Sequence, residues 1–578
     1  MKKNTVQYPG KPWEFLKDFK GTDFTGEWPT LPEMFRITVK RYPDRPCFTD
    51  FDAQPKTLTY TEVLEKIETL SNWMLSQGLK KGDRVAVTGK NSPEWATVYL
   101  ATLFAGGIIV PVDYGLHESE MENLIRVSQP KLFFVDEEKF DHFTEIAKGY
   151  EVYSLSPKHP EKHAYALNSE KKFTPESPAE NDIAAILFTS GTTGNPKGVM
   201  LSHKNFVSDC YIAQTNLNIY STDVFYALLP IHHSYTMLAV FIEAISVGAE
   251  IVFGKTMAVT RMLKELKEGK ITMLLGVPLL FNKLLAGIMR GIKAKGPVVY
   301  GLISFLMGIS YLCKKVFRFN PGKKMFKSVL DKASISTIRI AICGGGPLAS
   351  SVFRKYNELG IDFIQGYGLT ETSPIIALNP VENFKIESVG QFFNPFMEMK
   401  IDNPDENGVG EVLVKGPMVM QGYYNMPEET KAVFTDDGWF KTGDLGKLDD
   451  ENYLYLAGRA KNMIVTEGGK NVFPEEIENA FQLYDEIEQI TVQGYIMDES
   501  TKSEGIEALI YVSDEYYKNQ GLTRGKKEDD EKAYNSIMEI VGKVNKNQAP
   551  YAKISQVTLL EKPLEMTTTK KVKRQYKN

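Results

Sequence analysis

Ala184-Ala185-Ile186-Leu187-Phe188 runs directly into Thr189-Ser190-Gly191-Thr192-Thr193-Gly194-Asn195-Pro196-Lys197-Gly198. The five apolar residues read as a buried strand. The ten that follow carry four hydroxyls, three glycines and one lysine. Glycine lets a backbone approach an anion closely, and hydroxyls add donors, so the loop can wrap a polyphosphate while Lys197 supplies charge. It is not a Walker A loop, because Pro196 rather than glycine stands before Lys197. A surface turn rich in Gly, Ser and Thr would share this composition, so the surrounding pattern has to decide.

Upstream, apolar residues recur at helical spacing over 60–79, punctuated by Gly78 and Gly82, and 84–88 (RVAVT) reads as a short buried strand. A second helix over 94–107 and strands at 108–112 and 131–135 follow. Downstream, 250–253, 273–275, 338–343 and 363–365 repeat the strand signal. Alternation at this pace predicts an α/β fold of parallel, helix-covered sheets. Beyond about Lys385 the texture changes to short strands and turns, such as 411–414, which predicts a smaller β subdomain. From Arg459 onward a helix at 474–483, two strand candidates and a basic tail predict a small, separate α+β domain. The expected division is therefore 1–458 and 459–578, in keeping with cores that seldom grow past roughly 300 residues.

Composition excludes several classes. A net charge of −5 over 578 residues gives no sign of a nucleic-acid partner. Cys47, Cys210, Cys313 and Cys343 lie far apart without CxxC spacing, so neither a disulfide framework nor a zinc site is indicated and a reducing cytosol fits. The two N-terminal lysines are followed by no apolar run, so no cleaved secretory signal is expected.

Further stretches carry chemistry. Gln365-Gly366-Tyr367-Gly368-Leu369-Thr370-Glu371-Thr372 follows a strand and offers an aromatic ring for stacking and a hard carboxylate oxygen suited to Mg2+. Cys343-Gly344-Gly345-Gly346-Pro347-Leu348 is a glycine-rich turn after IRIAI, and Trp439-Phe440-Lys441-Thr442-Gly443-Asp444 ends on a carboxylate able to accept ribose hydroxyls. His232-His233 sit together after an apolar run. Adjacent residues rarely ligate one ion and no third ligand is spaced nearby, which argues against zinc.

Together these residues resemble the adenylate-forming superfamily of acyl-CoA synthetases, luciferases and peptide-synthetase adenylation domains. The TSGTTGNPKG run at 189–198 matches that family's most recognisable motif throughout. The resemblance implies that Thr189, Ser190, Gly191, Thr192, Thr193, Gly194 and Lys197 hold the phosphates of ATP. It places Gly344, Gly345, Gly346, Gln365, Gly366, Tyr367 and Gly368 around the adenine, Thr370 near the α-phosphate and Glu371 on magnesium. Asp444 and Arg459 then face the ribose, Lys461 is the pivot of a mobile C-terminal lid, and Gly468 and Gly469 move in for the thioester step. His233 matches the histidine that lines or gates the acyl site. The tail MTTTKKVKR aligns Lys571 with the catalytic lysine, although Lys570 replaces the usual glycine and competes for the role.

The implied reaction joins a carboxylic acid to AMP with release of pyrophosphate and passes the acyl group to coenzyme A, with ATP, Mg2+ and coenzyme A as cofactors. A long-chain fatty acid is the expected substrate. Medium-chain or aryl acids, or an acyl carrier protein as acceptor, are the alternatives. Long-chain synthetases resemble this chain in an inserted segment, here 285–332, where ten lysines or arginines face one acid, Asp331. Its apolar run 297–313 falls just short of a membrane-spanning length, which predicts a core or interfacial segment and a peripheral contact with the inner face of the membrane. The expected location is cytoplasmic; oligomeric state is not legible.

Overall fold

The computed structural model describes residues 11–52, 56–189, 196–465, 470–498, 503–566 and 572. Within the first 459 residues two sheets dominate. In the smaller one, Ile183–Thr189, Ile108–Pro111, Arg84–Thr88, Leu132–Val135 and Glu151–Ser154 lie side by side and parallel. Lys197–Ser202 and Gly422–Tyr423 extend one edge antiparallel. In the larger one, Asp362–Gly368, Ile340–Cys343, Met273–Gly276, Val224–Ala227, Glu250–Phe253 and Pro46–Asp50 form the parallel centre. Strands buried on both faces have no reason to alternate polar and apolar residues, which is why these segments read as short continuous apolar runs.

The expected β subdomain is present, joined to the main sheet through one strand. Residues 362–365 pair parallel with Ile340–Cys343, and residues 366–368 pair antiparallel with Ile375–Leu378. From there Gly390–Phe392, Tyr453–Arg459, Phe440–Leu448, Gly410–Lys415 and Glu398–Asp402 continue the sheet antiparallel. The strand that turns from one regime to the other carries the Gln365-Gly366-Tyr367-Gly368 stretch. Gly368 is obligatory there, since a Cβ would sit 1.6 Å from the Pro374 carbonyl oxygen.

The last part of the chain has its own apolar core, including Val472, Ile477, Val492, Ile510, Ile537 and Val557. It is built on the strands Ile487–Asp498, Ser503–Val512 and Ile554–Leu559 and the helix Lys527–Asn545. The predicted helix at 474–483 ends at Asn479. Gln482 instead reaches the larger part, donating from Nε2 to Pro347 O (2.9 Å) while its Oε1 accepts from Ala349 N (3.0 Å).

The 285–332 segment is helical: the end of Pro278–Lys293, then Pro297–Phe317, Gly322–Met325 and Lys327–Lys332. The apolar helix runs to 21 residues rather than stopping near 313. Among the described residues it is the one helix long and apolar enough to cross a membrane. It extends because Lys314, which a periodicity reading treats as a stop, points inward and is buried.

Candidate active site

Ile183–Thr189 and Lys197–Ser202 form an antiparallel hairpin in which Thr189 faces Lys197. That hairpin fixes both feet of the glycine-rich loop; Ser190, Gly191, Thr192, Thr193 and Gly194 themselves lie outside the described residues. Ser202 caps the next helix by accepting from Asn205 N (3.1 Å), and Asn205 Nδ2 donates to Pro417 O (2.7 Å) and Val419 O (2.9 Å). This ties the loop's strand to the chain entering Gly422–Tyr423. Lys197 Nζ then lies 4.8 Å from the Tyr423 ring centroid, and the Tyr423 hydroxyl donates to Glu371 Oε1 at 3.0 Å. Burial, with the nearby Glu371 carboxylate second, pushes the Tyr423 phenol upward, so it stays a donor.

From Glu371 the path continues. Thr370 Oγ1 is 3.1 Å from Ser234 Oγ, which adjoins the histidine pair. His232 Nε2 lies 3.3 Å from Asp113 Oδ1, without hydrogen-bond geometry, and His233 Nε2 lies 3.9 Å from Asp113 Oδ2. The third group that the sequence does not show beside the histidines is therefore Asp113, delivered by the end of the Ile108–Pro111 strand. One ligand atom from each of the three residues falls within 4.8 Å of the others. Asp113 therefore places a carboxylate against both imidazoles. Only the Pro-Val-Asp run at a strand's carboxyl end hinted at it.

The nucleoside side is equally compact. The Tyr367 hydroxyl donates to Asp444 Oδ2 at 2.5 Å, and Arg459 Nε stands 2.6 Å from Asp444 Oδ1. Asp444 and Arg459 are direct partners across two antiparallel strands. Burial raises the Tyr367 phenol first and the adjacent Asp444 charge raises it further, so it too remains a donor. Tyr235 packs below the glycine turn: a Cβ on Gly344 would come within 2.9 Å of its ring, and Gly345 sits at φ +75°. Cα-only residues at that turn keep its rim open for a flat base. Gln365 is buried beside Cys343 in the parallel pair, and its carbonyl accepts from Asn379 N.

Lys461 lies in a short turn of helix, Ala460–Asn462, directly after Arg459. Gly468, Gly469 and Lys571, with its competitor Lys570, lie outside the described residues. Of the remaining expected residues, Lys197, Glu371, Thr370 and His233 fall on one path through Tyr423 and Ser234, and Tyr367, Asp444 and Arg459 form a second cluster. A lysine at one end of the path, a hard carboxylate within it and the buried acceptor Asp444 in the second cluster suit a magnesium-bound nucleotide in chemistry. Glu371 is the residue that would hold the metal.

Residues 35–424 match the profile of the AMP-binding enzymes. The chain belongs to that family. Among curated relatives of this AMP-binding enzyme, the long-chain-fatty-acid–CoA ligase of Bacillus subtilis is 28% identical over 548 residues, covering 86% of this chain and 89% of its own. The feruloyl-CoA synthase of an Amycolatopsis species is 27% identical over 450 residues, covering 76% and 80%. The ATP-bound crystal structure of MatB from Rhodopseudomonas palustris superimposes with a TM-score of 0.73 at 26% identity, covering 94% of this chain and 97% of MatB. The adenylate-forming reading of the sequence holds at this level.

Proposed function

We propose that this AMP-binding enzyme is a long-chain fatty acid–CoA ligase that works in the cytoplasm with ATP, Mg2+ and coenzyme A. The substrate carboxylate attacks the α-phosphorus of ATP, pyrophosphate leaves, and the thiol of coenzyme A then displaces AMP from the acyl-adenylate. The observation that carries the ligase chemistry is the unbroken path from Lys197 to His233, which sets phosphate-binding groups against the histidine turn. Long-chain specificity draws support from the Bacillus ligase, similar over most of both chains, and from the apolar 297–317 helix. The four free cysteines suit a reducing compartment.

No protein nucleophile is needed, because the substrate supplies its own. Both reactants are anions, so the work is positioning and charge neutralisation. Lys197 neutralises the β- and γ-phosphates, Thr370 donates to the α-phosphate, and Asp444 with Arg459 holds the ribose. Tyr367 presents its ring to adenine while its hydroxyl steadies Asp444. Glu371 would hold magnesium, which when bound would supply charge neutralisation on the departing pyrophosphate. In this proposal Lys571 serves adenylation, and a rotation of the part beyond Arg459 about Lys461 exchanges it for the Gly468-Gly469 loop before coenzyme A attacks.

An aryl acid is the second reading, favoured by the similar feruloyl-CoA synthase. ATP–pyrophosphate exchange across fatty acids of graded length and ferulate, each with and without coenzyme A, decides between them. The proposal expects the highest kcat/KM for long-chain acids and acyl-CoA only when coenzyme A is added. A ferulate optimum transfers the assignment to aryl acids. Exchange that yields no acyl-CoA when coenzyme A is added removes coenzyme A as acceptor. No exchange with any acid rejects the ligase chemistry.

A further inference from the structure

The outward side of the Pro297–Phe317 helix reverses the usual pattern of a surface helix. Val298, Leu302, Phe305, Ile309, Leu312 and Val316 recur at four- and three-residue steps, which puts them in one ridge. All six are exposed, Val298 by 83% and Phe305 by 66%. The ridge is about 27 Å long at 1.5 Å per residue. The opposite side is the protein-facing one: Met307, Ser310 and Lys314 are buried. Lys314 Nζ donates to Asn357 Oδ1 (2.6 Å) and Ile361 O (3.3 Å) and pairs with Asp362 Oδ1 (2.7 Å). A helix bound to protein along one side through a buried ammonium lies on a surface and does not cross it.

Contiguous apolar exposure of this extent marks an interaction site. Its rim says what the partner is. Exposed Lys293 and Lys295 stand before the ridge, and exposed Arg318, Lys324 and Lys327 stand after it. Asp331 is the single acid between residues 285 and 332. A second copy of this chain docking here about a two-fold axis would bring basic rim toward basic rim. A bilayer with anionic headgroups offers the complement to both features at once: acyl chains for the ridge and negative charge for the rim.

We propose that this ridge seats the protein on an anionic lipid surface, with the helix lying in the headgroup plane. The inference goes beyond the acid and acceptor assigned above: the helix that lends support to the long-chain reading is here given a lipid surface as its partner. It also sets the site's place relative to the membrane, because Asp362, which pairs with Lys314, begins the strand that carries Gln365 to Gly368. A substrate dissolved in the bilayer then has a short route to the enzyme.

The test is cosedimentation of the full chain, without ATP, with vesicles of phosphatidylcholine alone or mixed with phosphatidylglycerol. Two variants accompany it: Leu302→Gln/Phe305→Gln/Ile309→Gln, and Lys324→Glu/Lys327→Glu, whose side chains are exposed and whose replacement empties no core. The wild-type protein is expected on anionic vesicles at least tenfold more strongly than on neutral ones. Each variant should lose at least tenfold in partitioning while keeping the wild-type melting temperature within a few degrees. Wild-type protein remaining in the supernatant overturns the proposal, as does a triple glutamine variant that binds like wild type. Sedimentation velocity showing a wild-type dimer, made monomeric by the glutamines, also overturns it by assigning the ridge to self-association. Because no nucleotide or acid is present, these outcomes are separate from failure of the ligase assignment.

Discussion

Replacing Asp444 by asparagine keeps the side chain's shape and removes its charge at the point where two strands, a phenol and a guanidinium meet. Asp444 is 5% exposed, accepts the Tyr367 hydroxyl at 2.5 Å and pairs with Arg459 at 2.6 Å. An asparagine turns one of its two ends into a donor, so one of those partners then faces N–H. A hydrogen bond to a charged group is worth about 1.5–3 kcal/mol. The Arg459 side chain is 44% exposed, so its share of the loss is screened to about 1 kcal/mol or less. The ribose hydroxyls lose a charged acceptor of the same kind, and about 1.5–3 kcal/mol corresponds to a fall of roughly 10- to 150-fold in kcat/KM for ATP. Initial rates of ATP–pyrophosphate exchange against ATP concentration measure this directly. The same assay with 2′,3′-dideoxy-ATP isolates the cause: wild type should discriminate against the analogue, and the variant should treat both nucleotides nearly alike. A folded Asp444→Asn protein whose kcat/KM for ATP stays within twofold of wild type refutes the assignment. So does one that discriminates against the analogue as strongly as wild type does.

Glu371→Gln is expected to raise the Mg2+ concentration needed for half-maximal pyrophosphate release by about tenfold or more, since a neutral oxygen replaces a charged ligand; an unchanged Mg2+ titration places the metal elsewhere. Burial pushes the Glu243 carboxyl from an ordinary 4.5 up to about 8, so the folded protein keeps a proton that the unfolded chain releases between those values. The contribution of Glu243 to stability therefore falls as pH rises from 4.5 to 8, by on the order of a few kcal/mol. Glu243→Gln should flatten that slope in denaturant melts, with buried Asp209, shifted the same way, leaving a remainder; a slope equal to wild type's rejects a protonated Glu243. Lys571→Ala is expected to abolish pyrophosphate exchange yet still pass a supplied acyl-adenylate to coenzyme A. If Lys570→Ala shows that split instead, the neighbouring lysine is the catalytic one.

Much of this protein was legible because local chemistry left few choices. Continuous apolar runs bounded by glycine marked the parallel strands, and Gly78, at φ +77°, closes the helix Tyr60–Ser76 three residues before the pattern of 60–79 runs out. Thr59 and Glu62 form a reciprocal cap at that helix's start. Other ends were set from afar. The helix beginning at Pro474 stops at Asn479, and Gln482 spends its amide on Pro347 and Ala349. The helix from Pro297 continues through Lys314 because Asn357 and Asp362, more than forty residues downstream, give that ammonium a buried partner. No periodicity window contains such partners.

By itself the sequence determined the α/β alternation, the strand that runs into the glycine-rich loop and the motif that marks the family, since backbone sterics and side-chain chemistry act over a few residues. Tertiary structure alone decided that Asp113 meets the histidine pair and that Tyr367 meets Asp444 across 77 residues of chain. It alone decided that the apolar ridge of Pro297–Phe317 faces out rather than in. The spacing of side chains settles which of them share a face; what covers that face depends on strands and helices that arrive from elsewhere in the chain.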